Sequence, residues 1–195
     1  MKRWSWTLAV TLVLALRVAP AGAQAPTPIP AGSVREGVLS FDGKATAGDF
    51  TGTTQTVSGE LAGGATLAEA TGFVEAPVKT LLSGNGRRDR DLNKSMESDS
   101  FPVLRFELAG VDSIRADEDS TLGVLRGTMH IHGIQRPVLL PAVLHFQPDG
   151  VRVQSTFPLN LKDYKIGKLS KMLGLLKMHP DIVVHVDVQF GYHRT

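Results

Sequence analysis

The 195-residue chain contains no cysteine, which excludes disulfides, thiol catalysis and thiolate metal sites together. It has no excess charge of either sign. Three of its 21 Lys and Arg residues (Lys2, Arg3, Arg17) precede Gln24, so the remainder carries 18 basic against 19 acidic side chains. Nothing in that balance would wrap a polyanion, and nucleic acid is not an expected partner. No nucleophile elbow, phosphate-cradling glycine loop or zinc-protease helix occurs, so the reading is of a non-enzyme with no catalytic residues and no cofactor. Long apolar runs are also lacking. The one apolar run, Trp4 to Leu16, is broken by Arg17 before the roughly 20 residues that a spanning helix needs.

What is present begins with that run. Lys2 and Arg3 precede it, and Ala21-Gly22-Ala23 supplies small residues where a signal peptidase reads. Residues 1–23 are expected to be a secretory signal peptide, cut before Gln24, which places the protein in the periplasm or outside the cell. Residues 24–33, with three prolines in a polar stretch, are expected to be a flexible tether ahead of one domain over 34–195.

In that domain the dominant signal is period two, in segments of roughly ten residues separated by Gly, Asp, Pro and Asn. It predicts eight strands: Arg35 to Ala45, Phe50 to Ser58, Thr66 to Pro77, Phe101 to Gly110, Thr121 to His132, Arg136 to Phe146, Val151 to Leu161 and Asp181 to Tyr192. Later strands sort cleanly into an oily and a wet face; Leu125, Met129 and Ile131 oppose Arg126, Thr128, His130 and His132. Earlier strands sort less well. The third carries mostly small residues (Ala68, Ala70, Gly72, Val74, Ala76) opposite Glu69, Thr71 and Glu75. Two connections look helical: Arg87 to Ser95, and Lys168 to Lys177 with Leu169, Met172, Leu173 and Leu176 on one face.

Such strands can close into a barrel or split into a sandwich, and periodicity alone does not choose. Short connections and unusually long strands favour the barrel. An eight-stranded barrel is either filled by its own side chains or holds one small ligand. The small residues of the third strand favour a cavity, whereas packing of those alanines against Phe106 and Phe157 would fill it.

Three stretches carry a family resemblance. Gly84-Asn85-Gly86-Arg87-Arg88-Asp89-Arg90-Asp91-Leu92, followed by Phe101-Pro102-Val103-Leu104-Arg105-Phe106, resembles the Gly-Asn, Arg-Asp and Tyr-Pro-x-Ile-x-Phe elements of YceI-like proteins. Leu125 to Val138, containing Ile131-His132-Gly133 and Pro137-Val138, resembles that family's most specific hairpin. Leu161-Lys162-Asp163-Tyr164-Lys165-Ile166 is similar to its Arg-x-Asp-Phe-Gly-Ile. Departures, such as Asp91 in place of a common His, fall at connections.

The resemblance implies an all-β, eight-stranded antiparallel lipocalin-like barrel with two short helical connections. It also implies an elongated apolar cavity for an isoprenoid or other amphipathic lipid. The inward faces name the expected lipid-binding residues. They are Ala70 and Val74 on the third strand, Leu104 and Phe106 on the fourth, and Leu125, Met129 and Ile131 on the fifth. Leu140, Leu144 and Phe146 follow on the sixth, Val153, Phe157 and Leu159 on the seventh, and Val184 and Val186 on the last. Met172 would join them from a lid over the mouth. With Lys165, Lys168, Lys171 and Lys177 around its stripe, that segment would also make transient contact with a membrane surface.

Two polar clusters have competing readings. His130-x-His132 has a spacing that metals use but no well-placed third ligand; with the hairpin centred near Ile134 and Gln135, both imidazoles are expected to be solvated on the outer face, with no metal bound. The run Arg87 to Asp91 offers a guanidinium clamp for a phosphate headgroup, or a structural pairing of Arg88 and Asp89 that pins the connection to the barrel. The second is the expected one.

Overall fold

The hairpin between β6 (Ser120–Ile131) and β7 (Ile134–Gln147) sets the register of the wall. In this computed structural model, which describes residues 28–46, 48–167, 170–171 and 176–193, its turn is His132-Gly133. Both turn residues have positive φ, 51° and 71°, which is what a tight two-residue hairpin requires. Ile131 therefore pairs with Ile134, His130 with Gln135 and Thr128 with Pro137. The expected centre at Ile134 and Gln135 is off by two residues, because Gly133 was not given its role as the turn.

Two-residue connections also join β5 (Val103–Asp117) to β6, and β7 to β8 (Gly150–Asn160). β4 (Thr71–Pro77) precedes β5, and β3 (Ser58–Gly63) precedes β4. The first strand, β1 (Gly32–Gly43), pairs along its length with the last, β11 (Asp181–Tyr192), and β11 pairs with β8. On its other side β1 meets β3 through Gly32 and Ser33, and β2 (Phe50–Thr54) through Leu39 to Gly43. β2 and β3 thus share one place in a closed antiparallel ring of eight.

Three expectations change in the early part of the chain. The segment Thr66 to Ala70 is not strand: Leu67–Glu69 forms a 3-10 turn, Ala68 is exposed, and the missed strand is Ser58–Gly63. Gly63, with φ 83°, ends that strand and breaks the expected alternation. Of the predicted tether, residues 24–27 lie outside the described residues, and residues 28–33 join the barrel: Ile29 bridges Gly64, and β1 begins at Gly32.

The expected helix Arg87 to Ser95 is present as α1 (Gly86–Ser95), capped by the Asn85 side chain, which accepts from the backbone N–H groups of Arg87 and Arg88. The second expected helix is not. Ser170–Lys171 (β9) pairs antiparallel with Leu176–Lys177 (β10), while Leu169, Met172 and Leu173 lie outside the described residues.

Outside the ring, polar side chains tie strand to strand. Arg152 of β8 donates two hydrogen bonds to Asp187 of β11, at 2.7 and 2.6 Å, and Gln154 adds a third at 2.9 Å. The Arg152 bonds hold the Asp187 carboxyl below the ordinary carboxylate range, against a smaller opposing effect of burial. Folding lowers this pKa, so the pair stabilises the barrel above the ordinary carboxylate pKa, and that contribution is lost as pH falls toward the lowered one. Asp187→Asn is expected to flatten the acid limb of stability: melting temperatures at neutral pH and at about pH 3 should differ less than in the parent protein. An unchanged difference would remove this pair from the acid response.

Candidate functional site

Alternation along each strand sends one row of side chains into the ring, and in this barrel those rows do not meet. They leave a cavity of about 500 Å³, within the range typical of ligand pockets. Ala70 and Val74 line it from the β4 side, with Leu104 and Phe106 of β5. Leu125, Met129 and Ile131 of β6 face Leu140, Leu144 and Phe146 of β7. Val153, Phe157 and Leu159 of β8 and Val184 and Val186 of β11 close the circle. Fifteen of the sixteen residues expected to face inward are therefore on one surface; Met172 lies outside the described residues. Phe146 is 41% exposed and sits at a rim rather than in the wall.

Sequence reasoning missed Leu39 and Phe41 of β1, Leu61 of β3, and Leu81, Met96 and Ile166 from the connections. Leu39 and Phe41 keep the period-two spacing and were legible. Leu81, Met96 and Ile166 follow no strand period and carry no such mark.

One end of the cavity is bordered by α1, where Ser83, Asn85, Arg87 and Arg88 join the lining. Arg88 and Asp89 are engaged there through a shared partner. The Arg88 side chain donates to Ser83 Oγ at 2.8 Å and to its carbonyl at 3.2 Å, while Asp89 accepts from the Ser83 amide at 2.8 Å and from its hydroxyl. The Arg88 guanidinium also lies over the Phe50 ring, 4.3 Å from its centroid. These contacts tie α1 to β2 and the Ser83 loop, in line with the structural reading of the pair. Arg87 is exposed at the same rim.

The two histidines part company. His130 is half-buried on the outer face, its Nε2 3.3 Å from Glu107. Arg105, hydrogen-bonded to Glu107 at 2.9 Å, is the main reason that carboxyl is held below its ordinary range. His132 is not solvated: its side chain is only 11% exposed, packs edge-on against Phe101 at 4.7 Å between centroids, and places Nδ1 3.0 Å from the Tyr164 carbonyl. A carbonyl can only accept, so Nδ1 carries the proton. The solvated reading fails for His132 because its turn folds inward onto the Leu161–Tyr164 segment. Among the described residues no three His, Asp or Glu side chains converge as a metal site.

A closed antiparallel barrel around an apolar cavity, bordered by a charged helix, defines the class of small eight-stranded β-barrels with a hollow interior. Within it, a family model described as YceI-like domain matches residues 33–190, and the chain belongs to that family. A polyisoprenoid binding domain from Saccharophagus degradans, implicated in plant cell wall breakdown, is similar in structure, with 13% identity and a TM-score of 0.69 over 85% of this chain and 99% of that one. BcnA of Burkholderia cenocepacia gives 11% identity and a TM-score of 0.64 over 78% and 95%. The Campylobacter jejuni YceI protein gives 17% and 0.52 over 65% and 75%. At these identities the likeness is one of fold. No curated protein matches the sequence.

Proposed function

We infer that the protein sequesters or carries an isoprenoid or other amphipathic lipid, with the apolar chain buried in the barrel and the polar end left at a rim. The carrying observation is the apolar cavity on which the inward rows of β4 to β8 and β11 converge. Affinity would come mainly from apolar area removed from water, at about 25 cal/mol per Å². The name of the Saccharophagus degradans domain supports the isoprenoid class. The segment Lys2 to Ala23 supports secretion, so the working place is the periplasm or the medium. Transient contact with a membrane surface would serve loading.

Organic extraction of protein purified from its native compartment, followed by mass spectrometry, tests this reading. One lipid per chain is expected. Protein that is folded, unextracted and free of lipid, and that also takes up none when offered, would instead support a structural barrel acting through its outer face.

A further inference from the structure

The ring is not hydrogen-bonded along its whole circumference. β7 pairs with β8 from Gln147–Gly150 to Ala142–Ser155 and the pairing stops there, although β7 runs back to Ile134 and β8 on to Asn160. Across the remaining half each strand stays paired on its far side only, β7 with β6 and β8 with β11.

Backbone direction explains why the seam does not zip. The tight hairpin makes Gln147 and Gly150 a hydrogen-bonded pair, so every second residue from each of them aims its backbone groups at the other strand. Beyond the paired half, those residues on β7 are Pro141, Leu139, Pro137 and Gln135; on β8 they are Thr156, Pro158 and Asn160. Three of these seven are prolines, with no N–H to give. The Pro141 carbonyl, first beyond the paired half, accepts from the Ser155 hydroxyl at 2.7 Å instead of from a strand amide.

Both ends of the seam are pinned by side chains: Ser155 above, and below it Arg136, which donates to the Asp163 carbonyl at 3.2 Å. Between them Leu139 is 65% exposed on the outer face, beside exposed Pro137, Pro141 and Pro158. On the inner face directly behind lie Leu140, Phe157 and Leu159, all on the cavity wall. Here only packed side chains separate cavity from solvent. Two other junctions are short and differ from this one: across β1 with β3 the covalent link Gln55 to Val57 runs and Val57 packs against Gly37, and beside β5 beyond its pairing with β4 the Leu67–Glu69 turn lies close, its Ala68 carbonyl against Gly110.

The geometry points to the β7–β8 seam as a lateral gate through which the apolar chain of an amphiphile enters and leaves the cavity. Leu139 and the three prolines form its outer apolar lip. Parting the strands between the two pins breaks no ladder hydrogen bond in this half; the side chains of Leu140, Phe157 and Leu159 must move aside as the strands separate. The gate rests on the container reading, and the test keeps the two apart.

Retinol, a fluorescent isoprenoid, serves as the probe. Continuing the register places Leu139 opposite Pro158, and the chain has no cysteine of its own, so Leu139→Cys/Pro158→Cys can be bridged across the seam by oxidation to a disulfide or by a short cross-linker with two thiol-alkylating ends. The bridged form is expected to load and release retinol about tenfold more slowly than the reduced form, with the equilibrium Kd unchanged. Val143→Cys/Gln154→Cys, bridged in the paired half, should leave both rates alone. Equal rates in bridged and reduced seam variants would overturn the gate while leaving the container intact; failure of the parent protein to bind retinol or any other offered amphiphile would overturn both. Should the double cysteine variant fail to fold, Pro141→Thr/Pro158→Thr returns two N–H donors to the seam. Slower release, by about threefold, is expected of it, and unchanged release overturns the gate.

Discussion

Ala70→Trp is expected to weaken retinol binding by about tenfold or more while leaving the melting temperature nearly unchanged. Ala70 is 1% exposed, ends the Leu67–Glu69 turn in an extended conformation, and lies on the cavity wall where β4 begins. An indole there takes up space that a ligand chain would fill. In a barrel already packed solid the same change would be overpacking, lowering stability by about 1–3 kcal/mol with no binding to lose. Glu69, one residue earlier, is exposed and receives a hydrogen bond from Thr66, so Glu69→Trp should do neither. Titration of probe fluorescence and a thermal melt on both variants separate these outcomes. A destabilised Ala70→Trp with unaltered binding would sink the hollow-barrel account, and equal effects at both positions would sink the assignment of faces.

Gly127→Ala carries the largest expected loss of stability. Gly127 lies in the middle of β6, between Leu108 of β5 and Val138 of β7. A Cβ at this position would come within 2.2 Å of the Glu107 carbonyl oxygen and 2.6 Å of two Phe106 ring atoms. The carbonyl belongs to the paired wall and cannot retreat without breaking register. The Phe106 ring, which lines the cavity, lies across the glycine. A loss of about 3 kcal/mol or more is expected in urea unfolding, at or beyond the upper end of ordinary overpacking. Gly86→Ala is the matched control: its Cβ meets only the Arg90 guanidinium, at 3.7 Å, and in the first turn of α1 it should stabilise by roughly 0.5–1 kcal/mol. Equal behaviour of the two variants would show that close approach at Gly127 is not what matters.

The barrel was legible because its later strands separate two solvents. Leu125, Met129 and Ile131 against Arg126 and Thr128 can be sorted without knowing any neighbour, and the same holds for β8 and β11. The early strands hide the pattern for a physical reason. Gly52, Gly59 and Gly72 are places where other backbone or the Phe41 ring comes close, so the residue is set by crowding rather than by face. Met96 and Ile166 reach the cavity from connections, where no periodicity applies. His132 was misread because a left-handed turn at a non-glycine residue depends on tertiary contacts, here Phe101 and Tyr164, that sequence spacing does not reveal. Likewise the stripe Leu169, Met172, Leu173 and Leu176 suggests a helix by local pattern alone, whereas Ser170–Lys171 and Leu176–Lys177 pair as strands.

The pairing of β1 with β11 governs when the ring can form. Gly32 meets Tyr192 and Phe41 meets Val184, so closure joins the first strand synthesised to the last. Contacts that distant in sequence make folding slow, on the order of milliseconds to seconds for such topologies. A nascent chain lacking β11 has every other strand and still no ring, with β1 and β8 presenting open edges to any neighbouring polypeptide. Local hairpins can come and go during synthesis, but the completed barrel is deferred until β11 is free to pair. Under the secretion proposed above, the polypeptide would cross the membrane in extended form and acquire its interior only after β11 has emerged on the far side.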